Sequence, residues 1–309
     1  MVDVKRRMLI TGISGLMGNN LAYYFKNKYD ILGIYHQHPI GIGAVATINA
    51  DILDKLLMRK IIDDFQPAVV IHCASLTNVD FCETNRELTD LVNIEGTKII
   101  VESLKDADTK LIYISSDSVY DGVKGDFQES DSVNPQNYYG LSKYKGELAV
   151  IKNKYALILR TNIFGWNILP KFSIAEWILN ELINKRPIKG FCDAFFSSIY
   201  NFELARVMDM TIERNLSGVF NCGSSTSMSK YEFALHIADC FNLEKDLIQP
   251  ISIDDFAFRA KRGKTLTMNV GKLEKALSCK LPAIDDCIKF FYEDFRAGIP
   301  QKIRLPISE

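Results

Sequence analysis

A chain of 309 residues is long enough to bury a substantial core and to hold one large domain or two smaller ones. Apolar residues make up 47% and charged residues 24%, the balance of a soluble globular protein. With 37 Lys and Arg against 38 Asp and Glu there is no global basic field, so neither nucleic acid nor an anionic membrane surface is an expected partner.

The first apolar run, Met8-Leu9-Ile10, reads as a strand, and Leu21-Ala22-Tyr23-Tyr24-Phe25 reads as a helix. Between them lies ITGISGLMGNN, with Gly12, Gly15 and Gly18 spaced Gly-x-x-Gly-x-x-Gly. Strand, glycine turn and helix in this order form the context of a dinucleotide site. There the first glycine permits a tight bend, the second lets backbone approach a pyrophosphate, and the third lets the helix pack on the strand. The phosphates then meet the free N–H groups of the helix N-terminus.

Further along, Ile31 to Tyr35 reads as a second strand, followed by a Gly/Pro loop from Pro39 to Gly43 and a helix from Asp54 to Phe65. Ala68 to His72 is a third apolar run, a long helix is expected from about Asn85 to Lys105, and Lys110 to Ile114 is the next strand. A helix from Tyr139 to Asn153 leads to the strand Ala156 to Leu159. Continuous apolar runs suit strands buried on both faces, so the pattern predicts a doubly wound parallel α/β sheet of Rossmann type.

Beyond Gly165 the rhythm changes to helices at Ser173–Asn184, Asn201–Glu213, Lys230–Phe241 and Asp285–Arg296, with short apolar stretches such as Val219 to Asn221 and Leu247 to Gln249. No linker marks a boundary. The expected organisation is a dinucleotide-binding domain over 1–165 and a smaller, mainly substrate-binding lobe over 166–309, interleaved with the first.

The N-terminal stretch MVDVKRRMLI carries no signal-peptide core, and no later run is long enough to span a bilayer, so a cytoplasmic protein is expected. The seven cysteines are scattered without a Cys-x-x-Cys pair, and the four histidines form no helical ligand pair. Reduced thiols and no bound metal are expected.

A second constellation carries the chemistry. Ser115-Ser116 ends the strand that begins at Lys110, at the carboxyl edge where open α/β sheets bind ligands. Tyr139-Gly140-Leu141-Ser142-Lys143 places a phenol and an ammonium four residues apart on one helix face. A neighbouring cation favours phenolate, so the tyrosine pKa is expected to fall.

These segments together resemble the extended short-chain dehydrogenase/reductases, and among them most of all the dTDP-4-dehydrorhamnose reductases and related nucleotide-sugar enzymes. The resemblance runs through Thr11 to Gly18, Asp51-Ile52, His72-Cys73-Ala74-Ser75, Thr77-Asn78-Val79-Asp80, Asn93 to Thr97, Ser115 to Gly122 and Tyr139 to Lys143, in that order. It implies that Tyr139 protonates the carbonyl oxygen, that Lys143 holds the nicotinamide ribose, and that Ser116 hydrogen-bonds the reacting oxygen. It places Gly12, Ser14, Gly15, Leu16, Met17, Gly18, His36, Asp51, Ile52, Cys73, Ala74, Ser75, Asn93, Tyr139 and Lys143 at the cofactor. Asn93 has the alternative of a helix-packing residue.

The reaction so implied is NAD(P)H-dependent reduction of the 4-keto group of a nucleotide-linked deoxysugar. Two segments depart from the rhamnose-type pattern. Ser116 and Ser118 stand where a threonine and a tyrosine are usual, and Thr161-Asn162-Ile163-Phe164-Gly165 lacks a tryptophan before the glycine. The sugar is therefore left open, and a nucleotide-sugar epimerase or a non-catalytic regulatory subunit of the same fold remain alternatives. An acid at the end of the second strand would favour NAD. The chain has Tyr35-His36-Gln37-His38 there, so NADP(H) is expected to be preferred with NAD(H) accepted. The helices bearing Asn93 and Tyr139 commonly pair in such proteins, and a homodimer is expected.

Overall fold

The computed structural model describes residues 5–105, 108–169 and 171–304. Among them, strands β1 (Arg6–Thr11), β2 (Tyr29–Tyr35), β3 (Ala46–Asn49), β4 (Val69–His72), β5 (Lys110–Ser116), β6 (Leu157–Thr161) and the strand Gly218–Cys222 form one sheet. Its order is Gly218–Cys222, β6, β5, β4, β1, β2, β3, and every neighbouring pair is parallel. This is the Rossmann-like α/β fold that the apolar runs predict.

Alternation along each strand sends side chains to two cores. Met8, Ile10, Ile71, Ile112 and Leu159 face one side, packed with Leu21 and Phe25 of helix α1 (Leu16–Phe25) and with Leu204 and Met208 of the helix Asn201–Glu213. Leu9, Val70, Leu111, Tyr113 and Ile158 face the other, under Met58 and Ile62 of helix α2 (Lys55–Phe65), Ile100 and Val150. Burial on both faces is why these strands read as unbroken apolar runs.

Three elements differ from the sequence reading. β3 was not expected: it is a four-residue edge strand with no fully buried residue, so it carries no apolar run. The apolar stretch Val219 to Asn221 belongs to the seventh strand of the main sheet, paired with β6. The helix expected from Asn85 to Lys105 is a composite of Arg86–Thr89, a π-helical turn at Asp90–Glu95, and Gly96–Ser103.

The smaller lobe is built from the helices Ile174–Ile183 and Lys230–Cys240 and from short strands. Phe195–Phe196 is flanked by Met228–Ser229 and Thr265–Leu266, and Ile188–Phe191 pairs with Ile248–Ile251. From β1 the chain runs outward through β2 and β3 and then returns to β4 on the other side of β1. The carboxyl ends of β1 and β4 thus flank a topological switch point, the place where such sheets form a ligand crevice. Among the described residues no helix is long and apolar enough to cross a membrane.

Candidate active site

The glycine turn closes directly on this crevice. Gly12 has φ +66°, and a Cβ there would lie 2.7 Å from the Ala74 backbone, in the loop after β4. Gly18, inside α1, would bring a Cβ to 2.3 Å from the Gly12 carbonyl oxygen, so helix and turn touch backbone to backbone. Gly15 is different: it is exposed, and its Cβ would meet only that same oxygen at 3.3 Å. Gly15 is also the N-cap of α1 and supplies no side-chain cap, and the first turn carries no acid. The helices α2, Tyr138–Val150 and Ile174–Ile183 are capped by Asp54, Asn137 and Ser173. The α1 terminus therefore presents unclaimed N–H groups beside an open glycine, with Ser14 and Leu16 half-buried at its rim and Met17 anchored in the core. These residues fit a dinucleotide pyrophosphate.

Beneath the turn lies a buried polar chain. His72 Nδ1 is 2.7 Å from Thr11 Oγ1, and its Nε2 is 3.1 Å from Thr97 Oγ1, which itself donates to the Asn93 carbonyl at 2.7 Å. Because the Thr97 hydroxyl is used as a donor, His72 Nε2 carries the proton and Nδ1 accepts from Thr11. Burial, helped by Lys143, pulls the imidazole down to about 3, so it stays neutral.

Asn93 sits in the π turn and is fully engaged. Its Oδ1 accepts from Leu76 N at 2.7 Å and from Ser75 Oγ at 3.0 Å, and its Nδ2 donates to Leu76 O at 3.0 Å and to Ser142 Oγ at 2.9 Å. It ties the loop after β4 to the helix of Tyr139. The geometry is that of the packing alternative, since no side-chain hydrogen-bonding position is left over.

That helix, Tyr138–Val150, starts at Asn137, whose side chain accepts from Gly140 N at 2.9 Å. It is fixed to the sheet by buried Glu147, which accepts from Ser115 Oγ at 2.5 Å and from Arg160 Nη2 at 2.7 Å. Ser115 thus faces away from the crevice, and Ser116 faces into it. The Ser116 hydroxyl donates to Asp117 Oδ1 at 3.0 Å and lies close enough to the Tyr139 phenol to act on its titration. Lys143, one turn further on, lies over the Tyr113 ring at 4.2 Å from its centroid, and its ammonium has no hydrogen-bond acceptor among the described residues.

Electrostatics here differ from the sequence expectation. The Tyr139 pKa is raised: burial dominates and Asp117 adds to it, while Ser116 opposes. Lys143 itself is pulled down to about 7 by burial against the pull of Cys73 and Glu147. A desolvated ammonium that is itself partly deprotonated near neutrality cannot hold a phenolate in advance. The pair is accordingly a protonated phenol and, four residues on along the same helix, a buried amine whose charged form is disfavoured. Cys73, half-buried beside Lys143, is pushed up to about 12 and remains a thiol.

At the adenosine end, Asp51 is half-exposed, with Oδ1 accepting from Leu53 N at 2.9 Å, and Ile52 is buried against Gly96. His36 is exposed after β2, and its Nε2 lies 3.9 Å from Asp51 Oδ2. An acid that the sequence does not place at the end of β2 is thus supplied from the end of β3. His38 is exposed as well.

The sequence reading missed the wall opposite Tyr139. Asp117 is buried, its pKa is raised by burial, and Asn162 Nδ2 donates to its Oδ2 at 2.7 Å. Lys230 lies within its electrostatic reach, and Arg262 pairs with Asp80 at 2.9 Å. The tryptophan absent before Gly165 occurs after it: Trp166 is buried, stacked 4.0 Å from Phe291, and belongs to the core.

The family model described as RmlD substrate binding domain matches residues 6–297. The chain is 30% identical over 280 residues to methionine adenosyltransferase 2 subunit beta of Xenopus laevis, covering 87% of this chain and 82% of that protein. The structure of dTDP-4-dehydrorhamnose reductase from Bacillus anthracis str. Ames in complex with NADP superposes with a TM-score of 0.84 at 25% identity, over 94% of this chain and 100% of that one. A hypothetical dTDP-4-dehydrorhamnose reductase from Sulfolobus tokodaii gives 0.80 at 28% identity, over 90% and 97%. The chain belongs to the RmlD substrate binding domain family, with the fold of the dTDP-4-dehydrorhamnose reductases and related extended short-chain dehydrogenase/reductase nucleotide-sugar enzymes.

Proposed function

We propose that this protein reduces the 4-keto group of a nucleotide-linked deoxysugar, using a reduced nicotinamide dinucleotide held at the glycine turn. The observation that carries this reading is the gathering of Ser116 at the end of β5, Tyr139 and, one helical turn on, Lys143 at the switch-point crevice. The nicotinamide would supply the hydride. The protein would supply a proton and a fixed geometry. Tyr139, kept protonated by burial, donates its hydroxyl proton to the carbonyl oxygen as negative charge develops there. Ser116 would turn its hydroxyl from Asp117 to donate a second hydrogen bond to the same oxygen. Lys143, with no protein acceptor of its own among the described residues, holds the ribose hydroxyls and relays a proton back to Tyr139.

Gly12, Ser14, Gly15, Leu16, Met17 and Gly18 would line the pyrophosphate, Asp51 and Ile52 the adenine, and Cys73, Ala74 and Ser75 the nicotinamide side. NADPH is preferred over NADH only modestly, because His36 can meet a 2′-phosphate but already has Asp51 3.9 Å away. The resemblance of the Bacillus anthracis reductase, solved with NADP, supports the same choice. A homodimer forms through the two helices that carry Leu88, Leu91, Leu148 and Ile151, all exposed; a monomer by sedimentation at working concentration would remove it. Residence in the cytoplasm belongs to the same proposal.

A second reading, a subunit that binds a partner enzyme, is favoured by the 30% identity to methionine adenosyltransferase 2 subunit beta. Loss of reduced-nicotinamide absorbance with a panel of nucleotide 4-ketosugars decides between the two. Conversion without net reductant would instead favour an epimerase.

A further inference from the structure

The helix that carries Tyr139 begins at a crowded terminus. Tyr138 N donates to Glu83 Oε2 at 2.9 Å, and Gly140 N donates at 2.9 Å to Oδ1 of the N-cap residue, Asn137. Gly140 also lies against the turn after β5, where an added Cβ would run into the Ser118 carbonyl oxygen. The place of the first helical turn, and of Tyr139 within it, is therefore set by the groups that meet these N–H donors.

One of those groups has a second attachment. Asn137 Nδ2 donates to the Lys261 carbonyl at 3.0 Å. The orientation of its amide is forced, because Gly140 N can only donate and Lys261 O can only accept. Lys261 lies in a strap, residues 256–263, that leads into the strand Thr265–Leu266 of the smaller lobe. The strap is fastened at two further points. Ala260 N and Arg262 Nη2 each donate at 2.9 Å to an Asp80 carboxylate oxygen in helix α3 (Val79–Thr84), and Gly263 packs backbone to backbone on Gly122. Phe256, Ala257, Arg259 and Lys261 are exposed. The strap and α3 together border a cleft of about 440 Å³, so a molecule entering it meets both.

We infer that Asn137 is a positioning residue, which sets the first turn of the Tyr139 helix by the seating of the strap. Its one planar amide satisfies both bonds only while the Lys261 carbonyl and the Gly140 N–H stand at a fixed separation, so a seated strap holds the cap and a lifted strap pulls on it. This rests on the reductase reading for the proton that Tyr139 delivers; the link between strap and helix stands apart from it.

Two substitutions in the full chain test the link. Gly263→Ala lifts the strap at a point that touches neither α3 nor the helix, since its Cβ would lie 2.9 Å from Gly122 Cα. Asn137→Asp keeps an equally good N-cap acceptor and removes the donor to Lys261. Trypsin cleavage after Arg259 and Lys261 reports the strap, and amide hydrogen exchange of the first helical turn reports the helix. In the otherwise unaltered chain Gly263→Ala should speed both, exchange by roughly three- to tenfold, the worth of one hydrogen bond. In the Asn137→Asp background it should speed cleavage alone. With a ketosugar, Asn137→Asp should lower kcat by a similar factor and leave NADPH affinity as it was. The inference falls if first-turn exchange is unmoved while the strap is cut faster, or if Gly263→Ala speeds exchange equally in both backgrounds. Should the backbone absorb the added methyl and leave cleavage unchanged, Gly263→Val enlarges the wedge and the same two outcomes decide. Strap-dependent exchange without ketosugar turnover would keep the link and remove the reductase. Turnover with first-turn exchange indifferent to the strap would do the reverse.

Discussion

The two walls of the crevice are encoded differently. The cofactor wall is written in short local units: a glycine turn between β1 and α1, a loop after β4, and a phenol and an amine one helical turn apart. The opposite wall is assembled from Asp80, Asp117, Asn162, Lys230 and Arg262, which share no spacing and meet only through the fold. The difference teaches what each wall must do. The pyrophosphate is common to NAD and NADP, so backbone shape can hold it. A substrate varies, and side chains on an adjustable lobe can be exchanged without touching the sheet.

If that contrast is right, damage to the first wall should abolish chemistry or cofactor binding, and damage to the second should change affinity for substrate. The largest effect should come from Tyr139→Phe, which removes the proton donor and keeps the ring. A fall in kcat of about 10²- to 10⁴-fold is expected, with NADPH affinity held. Stopped-flow turnover and cofactor titration on one preparation read both.

Next in size is Gly18→Ala. Its methyl would meet backbone at 2.3 Å, which no side-chain motion relieves, so α1 must shift from the turn. A loss of about 1 to 3 kcal/mol of stability is expected together with loss of cofactor binding. Gly15→Ala, whose Cβ would meet only one carbonyl oxygen at 3.3 Å, should cost much less stability but still weaken the cofactor. Thermal melts with and without NADPH separate the two, and equal melts for both variants would break the distinction between packing and phosphate glycines.

Lys143 sharpens the comparison through pH. Burial lowers it from an ordinary 10.5 to about 7. Between those values the unfolded chain holds a proton that the folded chain has released, so its contribution to stability improves as pH rises through that window. The penalty is fully present below about pH 7. Lys143→Met should therefore raise Tm at pH 6, with the gain shrinking toward pH 10, while activity falls. If the protein is the proposed reductase, the same titration should make kcat/KM of the unaltered protein decline above about pH 7, since Tyr139 stays protonated well beyond that. A Tm difference independent of pH would show that the amine is not desolvated.

The smallest effect concerns cofactor choice. His36→Ala should bring the NADPH to NADH ratio of kcat/KM to parity from a few-fold preference, and Asp51→Asn should widen it by freeing His36. A strong NADH preference in the unaltered protein would overturn this assignment.

Most of the sheet was legible in the sequence because burial on both faces forces uninterrupted apolar runs, as in Val69 to His72 and Leu157 to Leu159. The glycine turn was legible because its steric demand is local. β3 was not, since an exposed edge strand needs no apolar run. The π turn at Asn93 was hidden because one extra residue in a helix leaves no compositional trace, yet it is what lets a single amide grip both the β4 loop and Ser142. The pKa of Tyr139 was misread because a Tyr-x-x-x-Lys spacing reports proximity and says nothing of desolvation, which here acts on both partners. Lys230 and Arg262 were illegible for the reason that opens this comparison: the short strands around Phe195–Phe196 that join them have no periodicity to detect.

The central claim is that this crevice transfers reducing equivalents to a nucleotide-linked ketone. The most direct measurement mixes the unaltered protein with NADPH and dTDP-linked 4-ketosugars, following absorbance loss and product together. The account predicts one equivalent of 4-hydroxy sugar formed per NADPH consumed, with the reaction lost in Tyr139→Phe. NADPH and dTDP both bound, with no oxidation across the panel, would contradict it and leave a binding subunit in its place.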